Sequence, residues 1–267
     1  NQSKSFLESL DDFNVTLAQF LLEEETFPVS FRSGWHFMDN DWQHYLDQKV
    51  LPYSMHNDYP NRRIIDDEPI DNIFDWSKTP SDWKPYRPSY IDYQIPGKGK
   101  GWNIRSISFQ RALRDNSVES MFAAASGGEN QIACLWAHLP ENDFLDNIVA
   151  IDKMVHEMEV KYPGVTFKYC TAIEAMQLWQ ESNTTVEPNI SISEIQSGER
   201  VYYEIQSDDI IFQDQPFVAV KDIYENYQVA PCVSISEKLW KTKDTFIKKN
   251  LVKVGVTVCD TLGNQTM

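Results

Sequence analysis

The chain has 267 residues and a mass of 31.0 kDa, enough for one large core or two smaller ones. Its 24 basic against 40 acidic residues leave a net charge of −16, which repels phosphate backbones and anionic lipid and places nucleic acid and membrane surfaces last among expected partners. No apolar run approaches the roughly 20 residues of a membrane span, and 42% hydrophobic with 13% aromatic residues is too rich for disorder.

Phe6, Leu10, Phe13, Leu17 and Phe20 recur at spacings of four and three, which predicts an amphipathic helix over residues 4–23. The run from Phe27 to Phe31 predicts a strand closed by Gly34, and Trp42, Tyr45 and Leu46 a short helix. A second strand follows over 51–55, ending in His56-Asn57-Asp58. Residues 59–100 carry six prolines and then the Gly97–Gly101 run, which predicts a long functional loop or lid with a flexible turn at its end. The glycine spacing is not that of a phosphate-binding loop.

Helix and strand then alternate again. Residues 102–109 read as a strand, 118–125 as a helix and 132–137 as a buried strand. Phe144, Ile148, Ile151, Val155 and Met158 form a helical stripe, 165–169 reads as a fifth strand and 173–179 as a last helix. Five strands alternating with helices predict parallel βα units, whose sites lie at the strands' C-terminal ends. Near Ser182 the pattern changes. Short β-rich runs over 189–195, 201–205, 217–220, 227–233 and 252–259 predict a β-sandwich, with residues 1–183 and 184–267 as two domains.

The residues just past the predicted strands are the candidate site. They are Arg32, Trp35, His36 and Asp39, then His56 and Asp58, then His138 and Glu141. A histidine there can act as general acid or base, bind a metal, or donate to a backbone carbonyl. His44 and His156 fall on helix surfaces instead. Four cysteines are too few for a disulfide framework, although Cys134 with Cys170, or Cys232 with Cys259, could be close enough to bridge. Cys134 lies inside an apolar strand, where a thiol is inert. No nucleophile elbow and no H-E-x-x-H zinc helix occurs. Eight Trp and twelve Tyr supply faces on which sugar rings stack, and Trp35, Trp102 and Trp136 are the candidates for a cleft.

Phe31-Arg32-Ser33-Gly34-Trp35, Leu135-Trp136-Ala137-His138 and the later Tyr-Pro-Gly-Val segment with Phe167–Glu174 resemble, in that order, the motifs of the nodulation-protein type of polysaccharide deacetylase. The resemblance covers residues 1–181. It implies a partial or irregular (β/α) barrel followed by a small all-β accessory sandwich. It also implies a secreted, periplasmic or cell-surface bacterial hydrolase that removes acyl groups from a polysaccharide or other glycan. In those terms Arg32 would orient the catalytic base, His138 would be the general acid, and Asp58 would occupy the family's position after its middle strand. Trp35, His36, His56, Trp102, Trp136 and Glu141 would contact the glycan. The family's divalent metal, such as zinc, would need ligands outside this chain, because no H-x-x-x-H and no Asp-Asp pair on an early strand is present. The sequence is then expected to be the C-terminal part of a longer protein. Two other classes stand beside this one: a non-catalytic glycan-binding relative, and a glycoside hydrolase or lyase using carboxylates such as Asp58 and Glu141.

Overall fold

The computed structural model describes residues 5–56, 62–63, 74–182 and 184–267, without the side chains of Trp35, His56 and Arg63. Asp58 lies outside the described residues. Helix α1 (Phe6–Glu23) forms where its spacing predicts and buries Leu17, Ala18, Leu21 and Leu22, with Phe6 and Phe13 packed against the same core, but Phe20 of the expected stripe is exposed. Strand β1 (Ser30–Arg32) starts later than the apolar run suggests, because Phe27 turns into the core against Phe217, with ring centroids 4.6 Å apart. Helix α2 (Asn40–Tyr45), β2 (Tyr53–His56), a small antiparallel ribbon of β3 (Arg62–Arg63) and β4 (Phe74–Asp75), and β5 (Trp102–Ser108) follow. Helices α3 (Phe109–Ala112) and α4 (Ser117–Ser126), strand β6 (Cys134–Trp136), α5 (Phe144–Lys161) and α6 (Ala172–Trp179) complete this half.

The four strands pair in the order β1-β2-β5-β6, all parallel. Their registers place Arg32 beside Met55, Met55 beside Ile104, Ser106 beside Cys134 and Ser108 beside Trp136. Register partners share a face, as do residues two apart on one strand, so Arg32, Met55, Ile104, Cys134 and Trp136 all lie on one side. On that side the Cys134 Sγ reaches the Met55 Sδ at 3.1 Å, and the Arg32 guanidinium sits 4.3 Å from the Trp136 ring centroid. Three strand spacings of about 4.8 Å separate β1 from β6 in a flat sheet. The outer strands' side chains meet only because the sheet curls into a concave half-barrel. Met176, Ile173 and Trp179 of α6 close the lower part of that face against Tyr53 and Ile104. On the convex side, Ile107 and Leu135 pack against α3, α4 and α5.

Two expectations give way here. Residues 165–169 form no strand. Val165 and Phe167 alternate inward as a strand would, but they pack on the helical layer beside Phe122 and Tyr162 and leave the edge of β6 without a partner from this segment. The parallel sheet therefore has four strands, not five. Residues 74–100 are no lid either. Trp76, Trp83, Tyr86 and Tyr93 are buried, and Tyr86 exchanges backbone hydrogen bonds with Asn103 of β5 at 3.1 and 2.7 Å. The glycine run is a fixed strap: Gly97 and Gly99 donate to the Arg87 and Pro88 carbonyls at 2.7 and 2.6 Å. At Gly101 a Cβ would overlap the Asp47 carboxylate, so only glycine allows that approach.

The second half is a sandwich of antiparallel sheets. One runs β10 (Tyr227–Val229), β9 (Phe217–Asp222), β14 (Leu251–Cys259), β15 (Gln265–Thr266). In the other, β8 (Arg200–Ser207) pairs along its length with β7 (Ile190–Ser197). It also pairs with β13 (Phe246–Ile247) and β12 (Leu239–Thr242), the latter followed by β11 (Cys232–Ser236). Val201, Ile205, Val218, Val220, Trp240, Val256 and Val258 fill the space between. The continuous apolar run of β9 is buried on both faces: Val218 and Val220 point into the sandwich, while Phe217 and Ala219 point at α1. Gly255 on neighbouring β14 lets Leu21 and Leu22 come close. The first helix and the sandwich thus share one core. All four cysteines are free thiols, and neither pair weighed from the sequence is bridged.

Candidate functional site

Arg32 ends β1 with its side chain on the concave face. The chain then turns through a single 3-10 turn, Gly34–His36, and His36 adopts φ +59, a left-handed conformation that costs a non-glycine residue on the order of 1 kcal/mol. Its carbonyl is held there by the Trp76 indole N–H at 2.6 Å. Its ring lies 5.5 Å from Trp136 and 6.0 Å from Phe74. Two residues past β6, His138 packs edge-on to Trp136 at 5.3 Å. The Trp136 indole is therefore ringed by Arg32, His36 and His138.

His138 begins a tight turn in which the Glu141 N–H donates to its carbonyl at 3.0 Å. The Glu141 Oε1 in return accepts from the His138 backbone at 3.3 Å and pairs with the ring Nδ1 at 2.8 Å. That fixes the imidazole with Nε2 as the nitrogen open to exchange, on a side chain 63% exposed. Gln110, two residues past β5, reaches the other Glu141 oxygen at 3.4 Å. Sequence reasoning passed over Gln110, yet the rule that selected the histidines selects it too: it directly follows the C-terminal end of a parallel strand.

Burial, then the positive Arg32 and then His138, push the His36 imidazole down to about 4, so it is neutral at physiological pH. A histidine held below its ordinary value contributes stability above about pH 6.5 and loses it as the pH falls through the folded value. Its ring resonances in NMR are accordingly expected to stay fixed between about pH 8 and 5. In exposed His156 the shift has the opposite sign, its pKa being raised by the Asp152 carbonyl at 2.8 Å. A His36 midpoint near 6.5 would contradict this arrangement. The Nδ1 of His36 and the Nε1 of Trp136 are both buried with no hydrogen-bond partner among the described residues. Burial raises the pKa of the Cys134 thiol, which keeps it protonated.

Of the residues selected from the sequence, Arg32, His36, Trp136, His138 and Glu141 come together. Asp58 and the side chains of Trp35 and His56 lie outside the described residues, although the backbone of His56 ends β2 in the same rim. Trp102 does not join them. It opens β5 where the others follow strand ends, about 20 Å lower along the strand, stacked under Arg87 at 4.5 Å and packed in the α6 cluster. His44 binds the Tyr90 carbonyl at 2.9 Å on the surface of α2. Asp39 caps α2 through the Trp42 N–H at 2.7 Å. Among the described residues no group of three His, Cys, Asp or Glu side chains could hold a metal ion, so these residues do not fit a zinc centre. Nor does a carboxylate base stand beside Arg32 among them. No helix among them is long and apolar enough to cross a membrane.

No family model matches the chain, and no curated protein or solved structure matches it either.

Proposed function

We propose that this protein is a carbohydrate-active hydrolase that removes acyl groups from a polysaccharide, on a deacetylase-type barrel of which the four parallel strands are part. The observation that carries the reading is the His138–Glu141 pair, 2.8 Å apart and open to solvent at the C-terminal rim of the curled sheet. Glu141 holds the imidazole by Nδ1, and Nε2 gives a proton to the departing sugar oxygen or amine as its bond to the acyl carbon breaks, water having added to that carbon so that the acyl group is released as the carboxylic acid. Trp136 and His36 form the wall on which the sugar is placed. A divalent metal belongs to this reading only through ligands beyond the described residues, and no step is derived through one. A polymeric glycan substrate places the protein outside the cytoplasm, secreted or at a bacterial cell surface.

The test incubates the protein with acetylated xylan and N-acetylated chito-oligosaccharides, with and without added zinc, and reads both acetate and chain length. Acetate without shortening is the expected result. Shortening without acetate would move the assignment to a glycoside hydrolase or lyase. Binding with neither product would leave a glycan-binding protein.

A further inference from the structure

Arg32 differs from other arginines of this chain in what its donors do. Arg87 donates to the Gly99 and Lys100 carbonyls at 3.3 and 2.6 Å, and Arg105 to the carbonyls of Ser81 and Asp82. Arg114 bonds the Gln110 carbonyl at 2.9 Å, and Arg200 bonds Thr245. Arg32 has neither a hydrogen-bond acceptor nor a carboxylate among the described residues, in a protein whose acidic residues outnumber its basic ones by 40 to 24. It is partly buried, and what surrounds it is neutral: the Trp136 ring on one face, the Cys134 thiol and the His36 imidazole. The nearby Glu141 carboxylate is engaged with His138 at 2.8 Å.

A guanidinium withdrawn from water without an acceptor is unfavourable, and an anion that reaches it removes that cost. Seated on an aromatic face, it keeps its in-plane N–H edge for a planar acceptor, which a carboxylate matches with two parallel hydrogen bonds. One positive charge with no counter-charge among the described residues suits a monoanionic carboxylate better than a dianionic phosphate.

From these contacts we infer that Arg32 binds a carboxylate on the glycan, so that the substrate class is an acidic, uronate-containing polysaccharide. This rests on the glycan reading above and narrows it.

The test compares binding of tetragalacturonate, its methyl ester and a sulfated oligosaccharide of equal length by calorimetry, with the wild type, Arg32→Lys and Arg32→Met. The free acid is expected to bind about 10–100-fold more tightly than the ester, the range for a charged hydrogen-bonded pair. Arg32→Met should abolish that preference, and Arg32→Lys should keep only part of it because the fork is lost. If Arg32→Met does not fold, judged by circular dichroism, Arg32→Lys carries the comparison. Equal binding of acid and ester, a preference that survives both substitutions, or a preference for the sulfated chain would each overturn the inference. Binding or deacylation of neutral glycans without an acid preference would overturn it alone. Failure to bind or process any glycan would overturn both this and the function it rests on.

Discussion

Replacing Asp47 by Asn is expected to stabilise the protein at pH 7.5 by roughly 3 kcal/mol and to change little below about pH 4. Asp47 follows α2 and is 4% exposed. It accepts from Gln43 Nε2 at 2.9 Å and from the Gly101 backbone, and the field of Lys100 acts in the same direction. Burial outweighs all of these and pushes the carboxyl up to about 6 from an ordinary 3.8. A carboxyl raised in the folded state binds its proton more tightly there than in the unfolded chain. The fold therefore loses stability as the pH rises from about 4 through 6, and the full penalty remains above that. This is the opposite sign to His36, which weakens the fold as the pH falls through the same window. Asn keeps an acceptor for Gln43 and Gly101 without the charge. Thermal unfolding at pH 4, 6 and 7.5 separates the cases, with a gain of roughly 5–10 °C at the highest pH for a chain of this size. An equal shift at all three values would mean that the charge is not the cause. The position matters beyond its own contacts, because the segment after Asp47 also docks the sandwich. The Asp214 N–H donates to the Gln48 carbonyl at 2.8 Å, Gln213 Nε2 to the Val50 carbonyl at 3.2 Å, and Lys100 pairs with Asp214 at 2.7 Å.

His138→Ala is expected to lower the rate of acetate release about 10²–10⁴-fold, the usual contribution of a general acid, with little effect on stability since the side chain is largely exposed. Glu141 acts through His138, so Glu141→Gln should cost less in rate and should move the alkaline limb of the pH–rate profile, where a general acid loses its proton. A merely structural role for the turn would leave that limb in place. An unchanged rate in His138→Ala would remove the proton-transfer assignment, and the site would then be read as a binding surface.

Much of the architecture was legible because periodicity is a local property. The Phe6–Phe20 spacing, the Phe144–Met158 stripe and the four-residue run of β9 each locate an element and most of its buried face, although Phe20 and Ile148 are exposed. The candidate rim was legible for a related reason. A parallel strand carries its exit residues to one edge, so Arg32, His36, His138 and Glu141 could be named before their contacts were known. Trp102 was misplaced because its ring type was weighed ahead of its place at a strand's beginning. The segment 165–169 has a strand's alternation but not a strand's hydrogen-bond partner, and alternation alone does not distinguish them. The short strands β12, β13 and β15 carry too little pattern to be seen.

Spacing along the chain was enough for the main helices, the change from βα units to short antiparallel strands, and the residues at the strand exits. Long-range packing set the curl that lays Arg32 of the first strand on Trp136 of the last, and the closing of the glycine-rich strap on Asp47. It also decided that α1 and the sandwich share a core. Those outcomes depend on which surfaces meet across long stretches of chain, and on how far the meeting removes charged groups from water. Arg32 and Asp47 look like ordinary polar residues in sequence. Burial without a full set of compensating partners is what gives each its chemistry.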